Sequence, residues 1–135
     1  PDHYLVGEVY LREGDVLLGL GDTEKALASY REAAKDTYVD TKLQALFNVA
    51  KVLQKEGDYI QSREEYLRIV YEYPQEKLWV GKAAMNAAEL LTQDEHWDEA
   101  LQLYKKIASS DSPERIHAEV KIEEVEQLKT TGKSR

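Results

Sequence analysis

The chain has 135 residues, of which 42% are hydrophobic and 33% are charged, and its formal net charge at pH 7 is −8. This length suits a single domain with a continuous core. The acidic balance argues against a nucleic-acid partner, because phosphate binding relies on clustered Lys and Arg. The absence of cysteine excludes disulfides, thiolate nucleophiles and thiolate metal sites.

Membrane and targeting signals are also missing from the sequence. No apolar run approaches the roughly 20 residues that a membrane-spanning helix needs, and no segment near Pro1 has the pattern of a signal peptide. Because the chain begins Pro-Asp-His without Met, we predict that it is an excised or processed piece, so the missing signal does not fix its compartment. A cytoplasmic and a bacterial periplasmic location both suit a cysteine-free chain and stay open.

Hydrophobic periodicity predicts seven helices and no strand. Gly21-Asp22 and Gly57-Asp58 are predicted turns between paired helices, because glycine suits a left-handed C-terminal cap and aspartate caps the next helix. Asp94-Glu95-His96 stands between the helices of the third pair and has no glycine. The predicted helices cover residues 4–20, 23–35, 41–56, 59–72, 77–93, 97–109 and 113–130.

Three further segments have the pattern of a helix start. Thr41-x-x-Gln44 and Asp58-x-x-Gln61 read as capping boxes, the second with Asp in place of Ser or Thr. Ser112-Pro113-Glu114 combines a capping hydroxyl, a first-turn proline and an acid near the positive end of the helix.

An internal repeat organises these helices. In five sets of three residues, called columns below, the second residue follows the first by 36 positions and the third follows the second by 38. Small residues in two of the columns allow close approach of paired helices, and an aromatic residue one turn later can fill the space between hairpins. The columns are Gly14/Ala50/Ala88, Leu17/Leu53/Leu91, Ala26/Ser62/Ala100, Tyr30/Tyr66/Tyr104 and Ala33/Ile69/Ile107.

These residues resemble the tetratricopeptide repeat family, whose signature reads W-x2-L-G-x2-Y, then A-x3-F, then P. Residues 21–27, with the sequence GDTEKAL, are the most similar stretch, and Ala26-x3-Tyr30 matches the second part of the signature. The resemblance implies an all-α, right-handed α-solenoid in one domain, residues 1–135. Its three hairpins would cover about 7–40, 43–76 and 81–112, and a capping helix would cover about 113–130.

Two features depart from the family pattern. The family repeats every 34 residues, whereas this chain steps by 36 and 38, and Glu13 stands where an apolar residue is usual. The longer period is similar to that of tetratricopeptide arrays in bacterial envelope proteins, including the periplasmic coordinator associated with the Tol-Pal system.

The resemblance also implies a function, because the first helix of each pair lines a concave surface that binds other proteins. The implied groove positions carry four basic and three acidic residues, a balance of about +1 in a chain of −8, which favours acidic segments as partners. Phe47 would be an aromatic anchor and Met85 an adaptable apolar contact, unless both belong to the core. The residues expected to contact the partner are Arg12, Phe47, Asn48, Lys51, Lys55, Lys82, Met85, Asn86 and Glu89.

One family subclass can be tested against the sequence. Members that clamp the carboxylate at the C-terminus of chaperones carry five defined Lys, Asn and Arg residues. Asn48 and Lys82 match this set, whereas Leu11, Asp15 and Asn86 do not. The sequence therefore disfavours chaperone-tail binding.

Catalytic and metal sites find no support in the sequence. His3, His96 and His117 lie in separate predicted segments without zinc-type partners, and no phosphate-binding glycine loop is present. We therefore expect no enzyme activity, no metal and no cofactor. Trp97 is expected to pack against the neighbouring hairpin, and Trp79 is open to a surface contact.

Self-association is the alternative function. A terminal repeat exposes an edge, and the first helix begins with the apolar side chains Tyr4, Leu5, Val6 and Tyr10. A homo-oligomer built through such ends or through the convex face, or the assembly of a larger complex, stays open beside the adaptor function. None of these requires membrane insertion.

Overall fold

The computed structural model describes the backbone of residues 3–133 and the side chains of residues 6–132. Within this range the chain forms seven helices and no strand, which confirms the predicted all-α fold. Each helix begins within two residues of its predicted start. The helices are α1 (His3–Gly19), α2 (Thr23–Ala33), α3 (Val39–Lys55), α4 (Tyr59–Glu72), α5 (Lys77–Gln93), α6 (Trp97–Ala108) and α7 (Arg115–Lys133).

The packing divides the chain into two compact units, and the boundary between Glu65 and Tyr66 lies inside α4. In the first unit, α1 packs against α2, and both contact α3. In the second unit, α6 packs between α5 and α7. The single domain over residues 1–135 stays a prediction.

The three turns within helix pairs share one hydrogen-bond pattern. One residue in each turn has a positive φ: 84° at Gly21, 86° at Gly57 and 61° at Glu95. The N–H of the following residue donates to the carbonyl five residues before it, as in a Schellman motif. These bonds are Asp22 to Leu17 at 2.9 Å, Asp58 to Leu53 at 2.9 Å and His96 to Leu91 at 2.8 Å. The two predicted glycine turns are confirmed, and the third places a glutamate in the left-handed region.

Two of the predicted caps are confirmed by their side chains. The carboxylate of Asp22 accepts a hydrogen bond from the backbone N–H of Lys25 at 3.2 Å. The hydroxyl of Ser112 accepts from the backbone N–H of Glu114 at 3.1 Å and donates to the Glu114 carboxylate at 2.6 Å. Helix α7 therefore begins with a hydroxyl cap, two residues later than predicted.

The capping box predicted at Thr41 is wrong. Helix α3 already begins at Val39, so Thr41 lies inside it. The carboxylate of Asp36 accepts from the backbone N–H of Tyr38 at 2.8 Å and turns the connection before Thr41 is reached. The amide of Gln44 donates to Asn48 rather than back to the helix start. Side-chain capping by Asp58 and Gln61 stays a prediction.

The repeat columns form the core. The small residues Ala26, Ser62 and Ala100 are each 0% exposed, and the aromatic column of Tyr30, Tyr66 and Tyr104 is at most 1% exposed. Such burial leaves room for the paired helices to approach and for the rings to fill the space around them. The packing reasons proposed for these columns are therefore confirmed.

The last helix covers α6. A Cβ placed on Gly132 would lie 3.4 Å from the ring of Trp97, so the end of α7 passes close to the start of α6. Lys129 of α7 also forms an ion pair with Asp98. Trp97 thus packs against the last helix, α7, whereas its prediction named the neighbouring hairpin.

Candidate partner-binding surface

Helix α3 presents an aromatic ring and positive charge on one face. Phe47 is half-buried, and the Nζ atom of Lys51, one turn later, lies 6.0 Å from the centroid of its ring. A cation over an aromatic face is an attractive arrangement. Lys55 is exposed one further turn along the helix. This face can therefore bind an apolar group and an acidic group side by side.

Polar groups on α1 and α3 flank this face in the first unit. The side-chain oxygen of Asn48 accepts a hydrogen bond from Gln44 at 3.0 Å, which restrains the Asn48 amide. Arg12 of α1 lies 3.7 Å from the carboxylate of Glu8, and its side chain is 81% exposed. Exposed ion pairs of this kind contribute little stability, so the fold does not depend on the pair between Arg12 and Glu8.

Helix α5 carries the corresponding residues of the second unit. Lys82 is exposed, and its Nζ atom lies 5.5 Å from the centroid of the Trp79 ring. The amide of Asn86 donates to the backbone carbonyl of Lys82 at 2.9 Å. Met85 is half-buried and keeps part of its thioether side chain accessible. Trp79 thus contacts Lys82 on the surface, a kind of contact that the sequence had left open for it.

Glu89 lies on the surface, and its charge also affects the pKa of two buried tyrosines. Burial raises the pKa of Tyr66 and of Tyr104 to about 12, and the negative charge of Glu89 adds to both shifts. A negative charge opposes the ionisation of a phenol, which is the cause of this part of both shifts. Glu89 itself remains exposed to solvent.

Asp15 occupies the position in α1 that corresponds to Lys51 and Glu89 in the repeat. The hydroxyl of Tyr30 donates a hydrogen bond to its carboxylate. Burial raises the pKa of Tyr30 well above its usual value, and the bond to Asp15 raises it further. In the sequence Asp15 stood out only as a mismatch to the chaperone-clamp set, whereas in the structure it joins α1 to α2.

The nine residues predicted to contact a partner all lie on α1, α3 and α5, the first helices of the three pairs, and each is at least partly exposed. Two contacts lie within this set of nine: Lys51 lies over the ring of Phe47, and Asn86 donates a hydrogen bond to Lys82. Arg12 instead forms an ion pair with Glu8, which is not one of the nine. Their assignment to a partner-binding surface stays a prediction.

A cavity that the sequence analysis did not identify opens in the first unit. It has a volume of about 550 Å³ and lies between the start of α1 and the connection from α2 to α3, where Val6, Tyr10 and Tyr38 line it. Gly7 allows this close approach, because a Cβ there would collide with the side chain of Asp36. An isolated glycine inside a predicted helix was the signal that could have indicated it.

His96 lies 2.8 Å from Asp94 and 3.3 Å from Glu99, and these exposed pairs flank the third turn. Among residues 3–133, no group of three or more His, Asp or Glu side chains could hold a metal ion. In the same range, each helix is too short or too polar to cross a bilayer.

The first helix pair combines a glycine turn, a buried small residue and a buried tyrosine. Residues 7–35 match the family model for the tetratricopeptide repeat. The match supports a tetratricopeptide repeat family, and the described residues form an all-α, tetratricopeptide-like helical repeat. No curated protein matches the chain. The narrower similarity to Tol-Pal-associated envelope proteins is not supported.

The tetratricopeptide match covers α1 and α2, and the pairs α3–α4 and α5–α6 reproduce the same turn and the same core columns. Tetratricopeptide repeats generally mediate protein–protein interactions, and typically as non-enzymatic scaffolds. The exposed faces of the first helices are therefore the surfaces on which a partner is to be sought.

Proposed function

We propose that the chain is a non-catalytic adaptor, which binds peptide or protein segments through the exposed faces of its first helices, α1 and α3 in the first unit and α5 in the second. The observation that carries this proposal is the pair on α3, where half-buried Phe47 lies beside exposed Lys51. An aromatic side chain that is partly buried is held in place by the fold, so it can contact a ligand at a small cost in entropy.

The charges on these faces define the partner. Arg12, Lys51, Lys55 and Lys82 are all exposed on first helices, although the chain as a whole has a net charge of −8. An acidic segment would be repelled by most of the surface and attracted to these faces, which favours correct docking. The preferred ligand is therefore a segment with acidic residues next to an apolar or aromatic side chain.

The test compares two variants with two matched controls. Phe47→Ala and Lys51→Glu change the proposed surface, whereas Tyr59→Ala and Arg31→Glu change an exposed aromatic and an exposed cation on second helices. The proteins captured by each variant from an extract of the source organism are quantified by mass spectrometry. We expect both surface variants to lose the specifically captured proteins, and both controls to retain them.

Folding is checked by circular dichroism before capture, because a misfolded variant would lose its partners for an unrelated reason. Undiminished capture by folded Phe47→Ala and folded Lys51→Glu would contradict the proposed surface.

A second candidate function is self-association through α7. Ile116, Val120 and Leu128 of this helix are 65%, 50% and 44% exposed, so α7 carries three large apolar side chains on its surface. Sedimentation over a hundredfold range of protein concentration tests it. A constant monomer mass would remove this candidate and leave the adaptor function unaffected.

A further inference from the structure

The outer face of α1 carries an exposed apolar stripe. Val6, Val9 and Val16 of α1, and Leu20 directly after its last residue, are 55%, 60%, 61% and 77% exposed. Together with Glu13, they follow one another at intervals of three, four, three and four residues, the heptad spacing of a helix that packs along another helix. This face, called the α1 stripe below, shares no residue with the partner-binding surface proposed above.

The repeat shows what the same face does in the other helix pairs. The offsets of 36 and 38 residues relate Val9, Glu13 and Val16 to three positions of α3 and three positions of α5. All six of these residues are at most 4% exposed. They are Ala45, Val49 and Val52 in α3, and Ala83, Ala87 and Leu90 in α5. The middle of this face thus belongs to the core in two pairs and is open to solvent in the first. The positions that correspond to Val6 and Leu20 are not buried, and those for Leu20 are the exposed acids Glu56 and Asp94.

A helix covers this face in α3. Val49 and Val52 belong to one buried cluster with Ala26 and Tyr30 of α2, and leucines of α1 pack against the cluster. The shape and spacing of the face therefore suit a packed helix rather than an extended peptide. Because α1 has the same apolar spacing, an amphipathic helix can lie on it in the same way.

Glu13 restricts the identity of that helix. It is exposed at the centre of the α1 stripe, where α3 has Val49 and α5 has Ala87. If two copies of the chain paired through their stripes, the two Glu13 carboxylates would face each other, and like charges in contact are unfavourable. A helix with Lys or Arg at this place would instead form an ion pair.

The cavity of about 550 Å³ lies at one end of the α1 stripe, since Val6 contributes to both. Val6, Tyr10 and Tyr38 give the cavity apolar surface beside polar groups from Glu32, Lys35, Asp36 and Thr37. This apolar part can receive a large apolar side chain. Such a side chain would fix the register of the docked helix along the stripe, as a buried anchor does in other interfaces.

We propose that the α1 stripe docks an amphipathic helix of a partner protein. This helix carries apolar side chains at heptad spacing, a Lys or Arg opposite Glu13, and a large apolar side chain that enters the cavity. The α1 stripe is thus a second interaction surface, separate from Phe47 and Lys51.

Two synthetic helical peptides of about 21 residues, or three heptads, test the proposal. Both carry Leu at the heptad positions and one Phe near one end, and they differ only in having Lys or Glu at the central stripe position. Their affinities for the full chain are measured by fluorescence anisotropy. We expect the Lys peptide to bind roughly tenfold more tightly than the Glu peptide. Glu13→Lys should reverse this preference.

The variant Val9→Asp/Val16→Asp should abolish binding of both peptides, and hydrogen exchange should show protection of residues 6–20 in the wild-type complex. Both valines are exposed, so the variant is expected to fold, and circular dichroism checks this. Phe47→Ala should bind the peptides as the wild type does, which separates this surface from the adaptor surface.

Three results would overturn the proposal: no binding of either peptide, binding that survives Val9→Asp/Val16→Asp, or an unchanged preference in Glu13→Lys. A wild-type dimer that the double variant abolishes would also overturn it, because a second copy of the chain would then occupy the stripe.

Discussion

The hydroxyl of Tyr30 donates a hydrogen bond to the carboxylate of Asp15, and the Tyr30 ring lies directly over the neighbouring residue Gly14. A Cβ placed on Gly14 would approach this ring to 2.5 Å. The first helix pair is therefore joined by one polar contact and one close apolar contact on adjacent residues. Each of these two contacts can be removed or disturbed by its own substitution.

Gly14→Ala should destabilise the chain, because either the Tyr30 ring or the helix must move to admit the methyl group. Overpacking of this kind costs about 1–3 kcal/mol. Gly19→Ala is the matched control, since open space surrounds that position in the same helix. It should stabilise the chain by about 0.5–1 kcal/mol through helix propensity. Urea denaturation measures both changes, and equal effects at the two glycines would contradict the close contact.

Asp15→Ala should destabilise the first unit by about 1–3 kcal/mol, because the buried hydroxyl of Tyr30 loses its acceptor. The loss should be smaller when Tyr30→Phe has already removed the hydroxyl. Urea denaturation of the wild type, the two single variants and the double variant gives this difference as a double-mutant cycle. Additive losses would show that the bond contributes nothing to stability.

The buried tyrosines of the second unit should make the stability depend on alkaline pH. The folded pKa of Tyr66 and of Tyr104 is raised to about 12, whereas an unfolded tyrosine titrates near about 10. Between these values the folded state holds protons that the unfolded chain has released. The free energy of unfolding should therefore fall as the pH rises from about 10 to about 12, and the full contribution is present below about pH 10.

Denaturation of the wild type and of Tyr66→Phe at pH 9 and pH 11 tests this dependence. The variant should lose less stability between the two pH values, because phenylalanine does not titrate. Tyr59→Phe is the control, since Tyr59 is 55% exposed and its replacement leaves the core intact. The same pH dependence in the wild type and in Tyr66→Phe would contradict a raised pKa.

The sequence predicted the features that local chemistry decides. The starts of α2, α4, α5 and α6 agree to the residue, and Gly21 and Gly57 have the predicted left-handed conformation. Helix ends are set by caps and turns that lie within a few residues of one another, so a single sequence contains their signals.

Features that depend on tertiary packing were not predictable in this way. Asp15 bonds to Tyr30, which is 15 residues away in the sequence, and no local pattern indicates this pairing. Thr41 has the composition of a cap, but Asp36 turns the chain before it. The α1 stripe is visible in the spacing of its residues, yet only the burial of the corresponding positions in α3 and α5 shows that its exposure is exceptional.

The third turn provides the last prediction. Glu95 has φ = 61° at the place where the first two turns have glycine, and a non-glycine residue in this region costs about 1–2 kcal/mol. Glu95→Gly removes both this strain and the side chain, whereas Glu95→Ala removes the side chain and keeps the strain. The Gly variant should therefore be more stable than the Ala variant by about 1 kcal/mol in urea denaturation. Gly57→Ala, at a position with open space around it, should lose a similar amount through strain alone. Equal stability of Glu95→Gly and Glu95→Ala would show that this turn relaxes without strain when glutamate is replaced.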